Sequence, residues 1–129
     1  MLGMRLEGTV AIITGASRGL GKAVAVRFAK EGARLAICSR HAAQIEETAQ
    51  EIRRAGGMVV SLKADVSSDR DVDRLVGTTL KTFGRIDALV NSAGVLTPKS
   101  ALHQVRIGDW DLVMAANLRG PFLCMRAVL

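Results

Sequence analysis

The stretch that decides the fold is Val10–Gly21, which reads VAIITGASRGLG. An apolar run rich in β-branched residues, a glycine-rich turn and then an amphipathic segment predict a strand, a tight turn and a helix. Such a turn offers backbone N–H groups and the positive end of a helix dipole to an anion, so a pyrophosphate fits here. The spacing is not that of a P-loop, which would need Gly at Ala16 and Ser or Thr at Ala23. A glycine-rich turn without a ligand is the alternative.

The rest of the chain repeats this alternation of apolar runs and amphipathic segments. The predicted strands are Val10–Thr14, Arg34–Cys38, Met58–Leu62 and Ile86–Val90, and the predicted helices are Leu20–Glu31, a segment around Ile45–Ile52, a segment with its apolar stripe over Val72–Phe83, and Asp109–Leu129. Ser68 followed by Asp71 is typical of a helix start. Strict β–α alternation predicts one α/β domain over residues 1–129, with a parallel, doubly wound, Rossmann-type sheet.

Composition excludes several classes of protein. A hydrophobic content of 49% and a mean hydropathy of +0.24 fit strands that are buried on both faces. No apolar run approaches the ~20 residues of a membrane span, and residues 1–8 lack the apolar core of a signal peptide. We therefore expect a cytoplasmic protein that does not bind membranes.

The net charge of +6 raises the question of nucleic-acid binding. Lys and Arg are spread along the chain, and only four aromatic residues are present for stacking on bases. We therefore expect no nucleic-acid partner. Cys38 and Cys124 are predicted to be buried thiols in a reducing compartment. His41 and His103 have no partner at ligand spacing, so no metal site is predicted.

Thr14, Gly15, Gly19 and Gly21 stand where the T-G-x-x-x-G-x-G turn has its fixed residues, and the chain resembles the short-chain dehydrogenases/reductases. The resemblance extends from the first strand to the helix after the fourth strand. It implies a strand order that begins 3-2-1-4 and a chain that stops after that helix, about halfway along a typical member.

Two further motifs carry the resemblance, besides the segment around Asn117. Asp65 and Val66 match the pair that clamps the adenine amino group and packs on its ring, although a loop Asp bonded to nearby N–H groups is an equal alternative. Residues 91–94 resemble the family's N-N-A-G, with Ser92 in place of the second Asn. The cofactor-binding residues that the resemblance implies are Gly15, Ser17, Arg18, Gly19, Leu20, Gly21, Ser39, Arg40, Asp65, Val66, Asn91, Ala93 and Gly94.

The end of the second strand favours NADP(H) over NAD(H). An NAD enzyme usually has Asp or Glu there, which binds the ribose 2′-hydroxyl. This chain has Ser39 and Arg40, and a guanidinium pairs with a 2′-phosphate where a carboxylate would repel it. Arg18 could reach the same phosphate. The alternative is that both arginines are ordinary charges facing solvent.

Asn117 is the candidate catalytic residue. It lies in a segment similar to the one in which the family's Asn binds a relay water through its main-chain carbonyl. In a helix that carbonyl would accept the N–H of residue 121, which is Pro and has none. The alternative is a helix break without catalytic meaning.

The chain contains no tyrosine. The family's Tyr-x-x-x-Lys pair and Ser lie in its C-terminal half. We therefore interpret the chain as the cofactor-binding half of an oxidoreductase that reduces carbonyls or oxidises alcohols. We expect this half to be inactive alone. When complete it would act on a small-molecule substrate and form a homo-oligomer. The alternative is a non-catalytic module that binds a dinucleotide or a partner protein.

Without the C-terminal half, the surfaces that it would cover are expected to be exposed, and we call these surfaces the seam. We expect the fourth strand to be an unprotected edge, and an apolar face on the last helix to be uncovered. The residues expected on that face are Val113, Met114, Leu118, Phe122 and Met125.

Overall fold

The four apolar runs form one parallel sheet in a computed structural model that describes residues 4–129. The strands are β1 (Val10–Thr14), β2 (Arg34–Ser39), β3 (Met58–Lys63) and β4 (Ala88–Val90), in the order β3-β2-β1-β4. In the register of the sheet, Ile12 of β1 lies beside Ala36 of β2 and Leu89 of β4. The predicted α/β fold and its strand order are confirmed. The part of the N-terminal segment formed by residues 1–3 lies outside the described residues.

Helices connect the strands and cover both faces of the sheet. They are α1 (Gly19–Lys30), α2 (Ala42–Arg54), α3 (Asp69–Phe83), α4 (Ile107–Met114) and α5 (Gly120–Val128), with a 3₁₀ turn at Leu102–Gln104 and a π-helical turn at Ala115–Arg119. None of the helices within residues 4–129 combines the length and the apolar character that crossing a bilayer requires.

Alternate strand residues build two separate cores, as a period of two demands. On one face, Ile13, Leu35 and Ile37 pack with the apolar residues of α1 and α2. On the other face, Ile12 and Cys38 pack with those of α3 and α5. Both cysteines are buried free thiols, as predicted.

The start and end of α3 follow from local sequence. Ser68 Oγ accepts a hydrogen bond from the Asp71 N–H at 3.3 Å, and the helix ends at Gly84, whose φ of +78° suits a residue without a side chain. The predicted apolar stripe is less complete than expected, because Leu80 is exposed. In α1, Gly21 and Ala25 are buried, whereas Leu20 is 76% exposed.

Strand β4 begins two residues later than predicted. The Asp87 carboxylate accepts the Val10 N–H at 2.9 Å, so a side chain occupies the place of a β4 carbonyl at the start of the ladder. The Asp87 N–H in turn donates to the Val10 carbonyl at 2.8 Å. Regular pairing therefore starts at Ala88.

The last helical region starts at Ile107, two residues earlier than predicted, and is interrupted just before Pro121. Pro121 has no N–H, and just before it the Gly120 N–H reaches back five residues to the Ala115 carbonyl. Gly120 also lies against the loop after β3, because a Cβ added to it would come within 2.6 Å of Val66 Cγ2. The interruption therefore packs closely on that loop, at the carboxyl end of the sheet.

Candidate functional site

A cavity of about 380 Å³ opens where the four strands end. Its volume lies in the range of small-molecule sites, roughly 300–1,000 Å³. It also lies at the switch point between β1 and β4, where parallel sheets of this kind bind ligands. The residues that line it come from the loops after all four strands and from the start of the last helical region: Gly15, Ser17, Arg18, Gly19, Leu20, Gly21, Cys38, Ser39, Arg40, His41, Ala64, Asp65, Val66, Ser67, Ser92, Ala93, Gly94, Val95, Leu112, Ala115 and Ala116.

The glycine turn is shaped by contact between backbones. A Cβ on Gly15 would come within 2.6 Å of Ala93 Cα, and its φ of +63° also favours glycine. A Cβ on Gly21 would come within 2.3 Å of the Gly15 carbonyl oxygen. Gly19 is different, because no atom lies within 4 Å of the position its Cβ would take. The first two glycines close the turn onto itself and onto the loop after β4.

Thr14 joins the ends of β1 and β4. Its buried Oγ1 accepts hydrogen bonds from the Ser92 N–H at 3.2 Å and the Ala93 N–H at 3.1 Å. Two backbone donors that would otherwise lack partners are thus bonded to one side chain. Sequence reasoning recognised Thr14 only as a motif residue and missed this role. The position of a hydroxyl residue at the end of an apolar strand was the available signal.

The end of β2 brings Arg40 and His41 to the cavity wall. Ser39 is buried, and its Oγ accepts the His41 N–H at 3.2 Å and donates to the His41 carbonyl at 3.1 Å. These two hydrogen bonds fix the turn from which Arg40 and His41 project, and both side chains are exposed at the cavity. Arg18, from the glycine turn, lines the same cavity and is exposed. Within residues 4–129, neither arginine is ion-paired with a carboxylate.

Asp65 lines the cavity and is also bonded within its own loop. Its Oδ1 accepts the Ser67 N–H at 2.9 Å and the Ser67 Oγ–H at 2.7 Å. Its N–H donates to Asp71 Oδ2 at 2.8 Å, and this bond, followed by the nearby Arg74 side chain, lowers the pKa of Asp71. The alternative reading, a loop Asp that serves nearby N–H groups, therefore describes part of what Asp65 does.

Asn117 does not line the cavity, but its side chain bonds Val95, which does. Its Oδ1 accepts the Val95 N–H and its Nδ2 donates to the Val95 carbonyl, each at 2.8 Å. A Cβ on Gly94 would come within 3.1 Å of Asn117 Oδ1, so a side chain there would crowd the amide. Sequence reasoning considered only the main-chain carbonyl of Asn117, whose catalytic role stays a prediction.

The structure therefore brings together all but two of the residues singled out from sequence. Asn91 and Asn117 lie outside the lining, although the residues next to each line it or come close to it. The lining residues that sequence reasoning missed are His41, Ser67, Val95, Leu112, Ala115 and Ala116, besides Cys38, Ala64 and Ser92. Leu112, Ala115 and Ala116 carried no signal, because only the packing of the last helical region brings them here.

The chemistry of the lining suits binding an extended anion. Burial raises the pKa of the Cys38 thiol to about 12, so it stays protonated at neutral pH and is not a nucleophile. No group of three metal-ligating side chains occurs in the described range, residues 4–129. What remains is a glycine turn at the start of α1, Asp65, and two arginines that have no carboxylate partner within residues 4–129. An anionic ligand fits this set.

Comparison with known sequences gives matches along nearly the whole chain. The sequence model of the short chain dehydrogenases matches residues 9–129. The (2S)-[(R)-hydroxy(phenyl)methyl]succinyl-CoA dehydrogenase subunit BbsD of Thauera aromatica is 40% identical over 125 residues, which are 97% of this chain and 50% of that protein. A 3-oxoacyl-[acyl-carrier-protein] reductase of Synechocystis is 40% identical over 95% of this chain and 50% of its own. The chain spans about half the length of these curated relatives.

Solved structures agree with this. A metagenomic short-chain oxidoreductase in complex with NADP superposes with a TM-score of 0.89 at 38% identity, over 95% of this chain and 55% of that one. A citronellol catabolism dehydrogenase of Pseudomonas aeruginosa superposes with a TM-score of 0.91 at 33% identity, over 99% of this chain and 52% of that one.

Proposed function

The chain belongs to the short-chain dehydrogenase family, and on that premise we propose that residues 1–129 are the NADP(H)-binding domain of an oxidoreductase. The reaction proposed for the whole protein is hydride transfer that reduces carbonyls or oxidises alcohols of small molecules. The bound nicotinamide would supply or accept the hydride. The names of the relatives, a dehydrogenase and a reductase, support this reaction class.

The observation that carries the proposal is the meeting of Arg18 and Arg40 on one cavity. They come from different loops, after β1 and after β2, and no carboxylate stands at the end of β2 to bind a 2′-hydroxyl. Two guanidinium groups beside the adenosine end would pair with a 2′-phosphate. The related oxidoreductase in complex with NADP supports the same choice.

The other cavity residues have distinct proposed tasks. The turn through Ser17, Gly19 and Leu20 would present N–H groups to the pyrophosphate, because it begins α1 and Gly19 leaves open space. Asp65 and Val66 would hold the adenine. Residues 91–94, held by Thr14 and Asn117, would line the ribose and nicotinamide.

Asn117 has a proposed second task besides holding Val95. Its main-chain carbonyl would bind a water of the proton relay, because Pro121 cannot supply the usual N–H. Its side chain keeps the amide bonded to Val95 meanwhile, so the carbonyl and the side chain act independently. In the cell we propose a cytoplasmic protein, where the buried thiols of Cys38 and Cys124 stay reduced.

The test of the cofactor proposal is Arg40→Asp in the full product of the gene, whether that ends at residue 129 or continues. The new carboxylate repels a 2′-phosphate and accepts from a 2′-hydroxyl, so the ratio of NADPH to NADH affinity falls at least tenfold. Calorimetric titration with both dinucleotides measures it. Arg54→Asp is the matched control, because it makes the same charge change at the other end of α2, about 20 Å away. An unchanged ratio in Arg40→Asp overturns the NADP assignment.

A second candidate function is a non-catalytic binding module. It is favoured by the absence of tyrosine from the chain, because the family's proton donor is a tyrosine. The two candidates differ in the DNA after codon 129. An in-frame Tyr-x-x-x-Lys supports the enzyme, and an immediate native stop supports the module. The 129-residue chain alone is expected to leave NADPH absorbance unchanged with any carbonyl substrate.

A further inference from the structure

We propose that Arg53 and Arg74 close the free edge of β3, so that a second copy of this chain cannot extend the sheet by pairing there. Among residues 4–129, β3 pairs on one side only, with β2. Its sequence, MVVSLK, is mostly apolar and contains no proline or glycine. An unprotected edge of this kind is a template for another strand. Closure of this edge is independent of the ligand that the cavity binds.

The backbone groups of β3 face β2 and the free edge alternately. The N–H of Ala64, the residue after β3, donates to the Ser39 carbonyl of β2 at 2.9 Å. In a parallel ladder the N–H and C=O of one residue point to the same neighbouring strand, and those of the next residue point the other way. Counting back from Ala64, the residues of β3 whose backbone groups face the free edge are Val59, Ser61 and Lys63.

Two of these three outward carbonyls are bonded to arginine side chains. Arg53 of α2 donates to the Val59 carbonyl at 3.4 Å, and Arg74 of α3 donates to the Lys63 carbonyl. Because α2 packs on one face of the sheet and α3 on the other, the two guanidinium groups reach the edge from opposite faces. They lie on either side of Ser61 along the strand.

Each arginine is also held by a carboxylate of its own helix. Arg53 is ion-paired with Glu46 at 2.7 Å, and Glu46 accepts the Ser61 Oγ–H at 2.6 Å. Arg74 lies 3.5 Å from Asp71 Oδ1. These contacts direct both guanidinium groups at the edge, where both side chains stay partly exposed.

The guanidinium groups oppose pairing by their position and by their charge. A paired strand would lie about 4.8 Å from β3, in the space that donors bonded to its outward carbonyls occupy. Such a strand would also remove charged groups from water, which costs free energy unless new partners are supplied. Charged side chains at an edge are a known defence against unwanted pairing.

A second copy of the chain is the partner that an opened edge would fit. In an antiparallel pair with a two-fold axis at Ser61, Val59 of one copy lies opposite Lys63 of the other. Every outward N–H and C=O of β3 then has a partner in the other copy. The carbonyls of Val59 and Lys63, which this pairing needs, are the two that the arginines occupy.

The experiment is the double variant Arg53→Ala/Arg74→Ala in the full gene product, followed by sedimentation velocity over a series of concentrations. We expect an association step beyond the wild-type species, about tenfold tighter than in the control, because each freed carbonyl gains a hydrogen bond. Arg54→Ala/Arg70→Ala is the matched control, since it removes the same charge from α2 and α3. Arg54 bonds Gln50 of its own helix, and Arg70 is exposed at the start of α3.

Hydrogen exchange shows whether the association uses this edge. In the associated double variant, the Ser61 N–H should exchange more slowly than in the dilute protein, because a carbonyl of the other copy accepts it. Adding Ser61→Pro removes this outward N–H without removing a bond to β2, so it should return the association to that of the control. Each single variant, Arg53→Ala or Arg74→Ala, frees one carbonyl and should show a smaller increase, which keeps the test valid if the double variant does not fold.

Two results would overturn the inference. If the arginine variants sediment like the control, the edge needs no closure. If they associate but Ser61 exchange is unchanged, or Ser61→Pro does not reverse the association, the contact lies elsewhere and the arginines have no such role. Neither result bears on the cofactor, which the dinucleotide titrations test separately.

Discussion

The two helical layers on the sheet are unequally buried. Beneath α1 and α2, the strand side chains Leu35 and Ile37 are fully buried, and so are the facing residues Ile45 and Ile52. In the α4–α5 region, large apolar side chains point outward: Leu118 is 61% exposed and Phe122 is 53% exposed. An open hollow of about 530 Å³ lies among them.

Apolar side chains of the α1–α2 layer are buried against the sheet, whereas large apolar side chains of the α4–α5 region remain exposed. The predicted seam is present in part, since Leu118, Phe122 and Met125 are exposed while Val113 and Met114 are half-buried. Strand β4 is three residues long and, among residues 4–129, pairs on one side only, with β1. The cavity at the ends of the strands is lined in part by Leu112, Ala115 and Ala116, which belong to the less buried region.

The largest expected effect of this difference in burial is association of the 129-residue chain when it is made alone. Each 100 Å² of apolar surface removed from water contributes about 2.5 kcal/mol, so the exposed face favours insolubility, partial unfolding or self-association. Sedimentation velocity of the chain and of a Leu118→Gln/Phe122→Gln variant measures this. The variant is expected to shift towards monomer, and Leu80→Gln, on α3, is the matched control. A compact wild-type monomer with cooperative unfolding would show that the face needs no cover.

Within the buried layer, Ile37→Ala is expected to lower the free energy of unfolding by about 2–5 kcal/mol. The side chain is fully buried, so its removal loses the transfer free energy and leaves a cavity. Leu80→Ala, at an exposed position of α3, is expected to change it by less than about 1 kcal/mol. Urea titration followed by circular dichroism measures both. Equal losses in the two variants would contradict the burial difference.

Two glycine substitutions, one at the cavity and one in α3, are expected to change the free energy of unfolding in opposite directions. Gly21→Ala places a Cβ about 2.3 Å from the Gly15 carbonyl oxygen and should lower the free energy of unfolding by about 1–3 kcal/mol. Gly77→Ala lies in α3 with open space around it and should raise that free energy by about 0.5–1 kcal/mol. Urea midpoints of both variants measure this, and a stabilised Gly21→Ala would refute the close packing of the turn.

The smallest effect concerns the start of β4. Hydrogen bonds from the Arg85 side chain and from the Val10 N–H lower the pKa of Asp87. Its contribution to stability is therefore present above pH ~4, the usual value of an unfolded Asp, and is lost as the pH falls through the lower folded value. Asp87→Asn should flatten the acid limb of the stability curve. Identical acid limbs for Asp87→Asn and the wild type would exclude the linkage.

Much of the fold could be predicted because it depends on local patterns. The strand starts at Val10, Arg34 and Met58 agree with the structure, since apolar runs and their glycine punctuation are properties of short windows. The start of β4 was wrong because a side chain from the loop, Asp87, takes the place of a backbone acceptor. Leu20 is exposed because the cavity, rather than the core, faces that turn of α1, which no helical stripe in the sequence reveals.

What the sequence by itself determined is the order of strands and helices, the glycine turn and the set of polar residues that follow each strand. These follow from residue preferences within a few positions. Only the tertiary structure decided that Gly15 closes on Ala93, that Thr14 bonds the loop after β4, and that Asn117 holds Val95. The physical reason is distance along the chain: partners 22 to 79 residues apart meet only when the sheet has assembled, and no local pattern records which backbone groups then remain to be bonded.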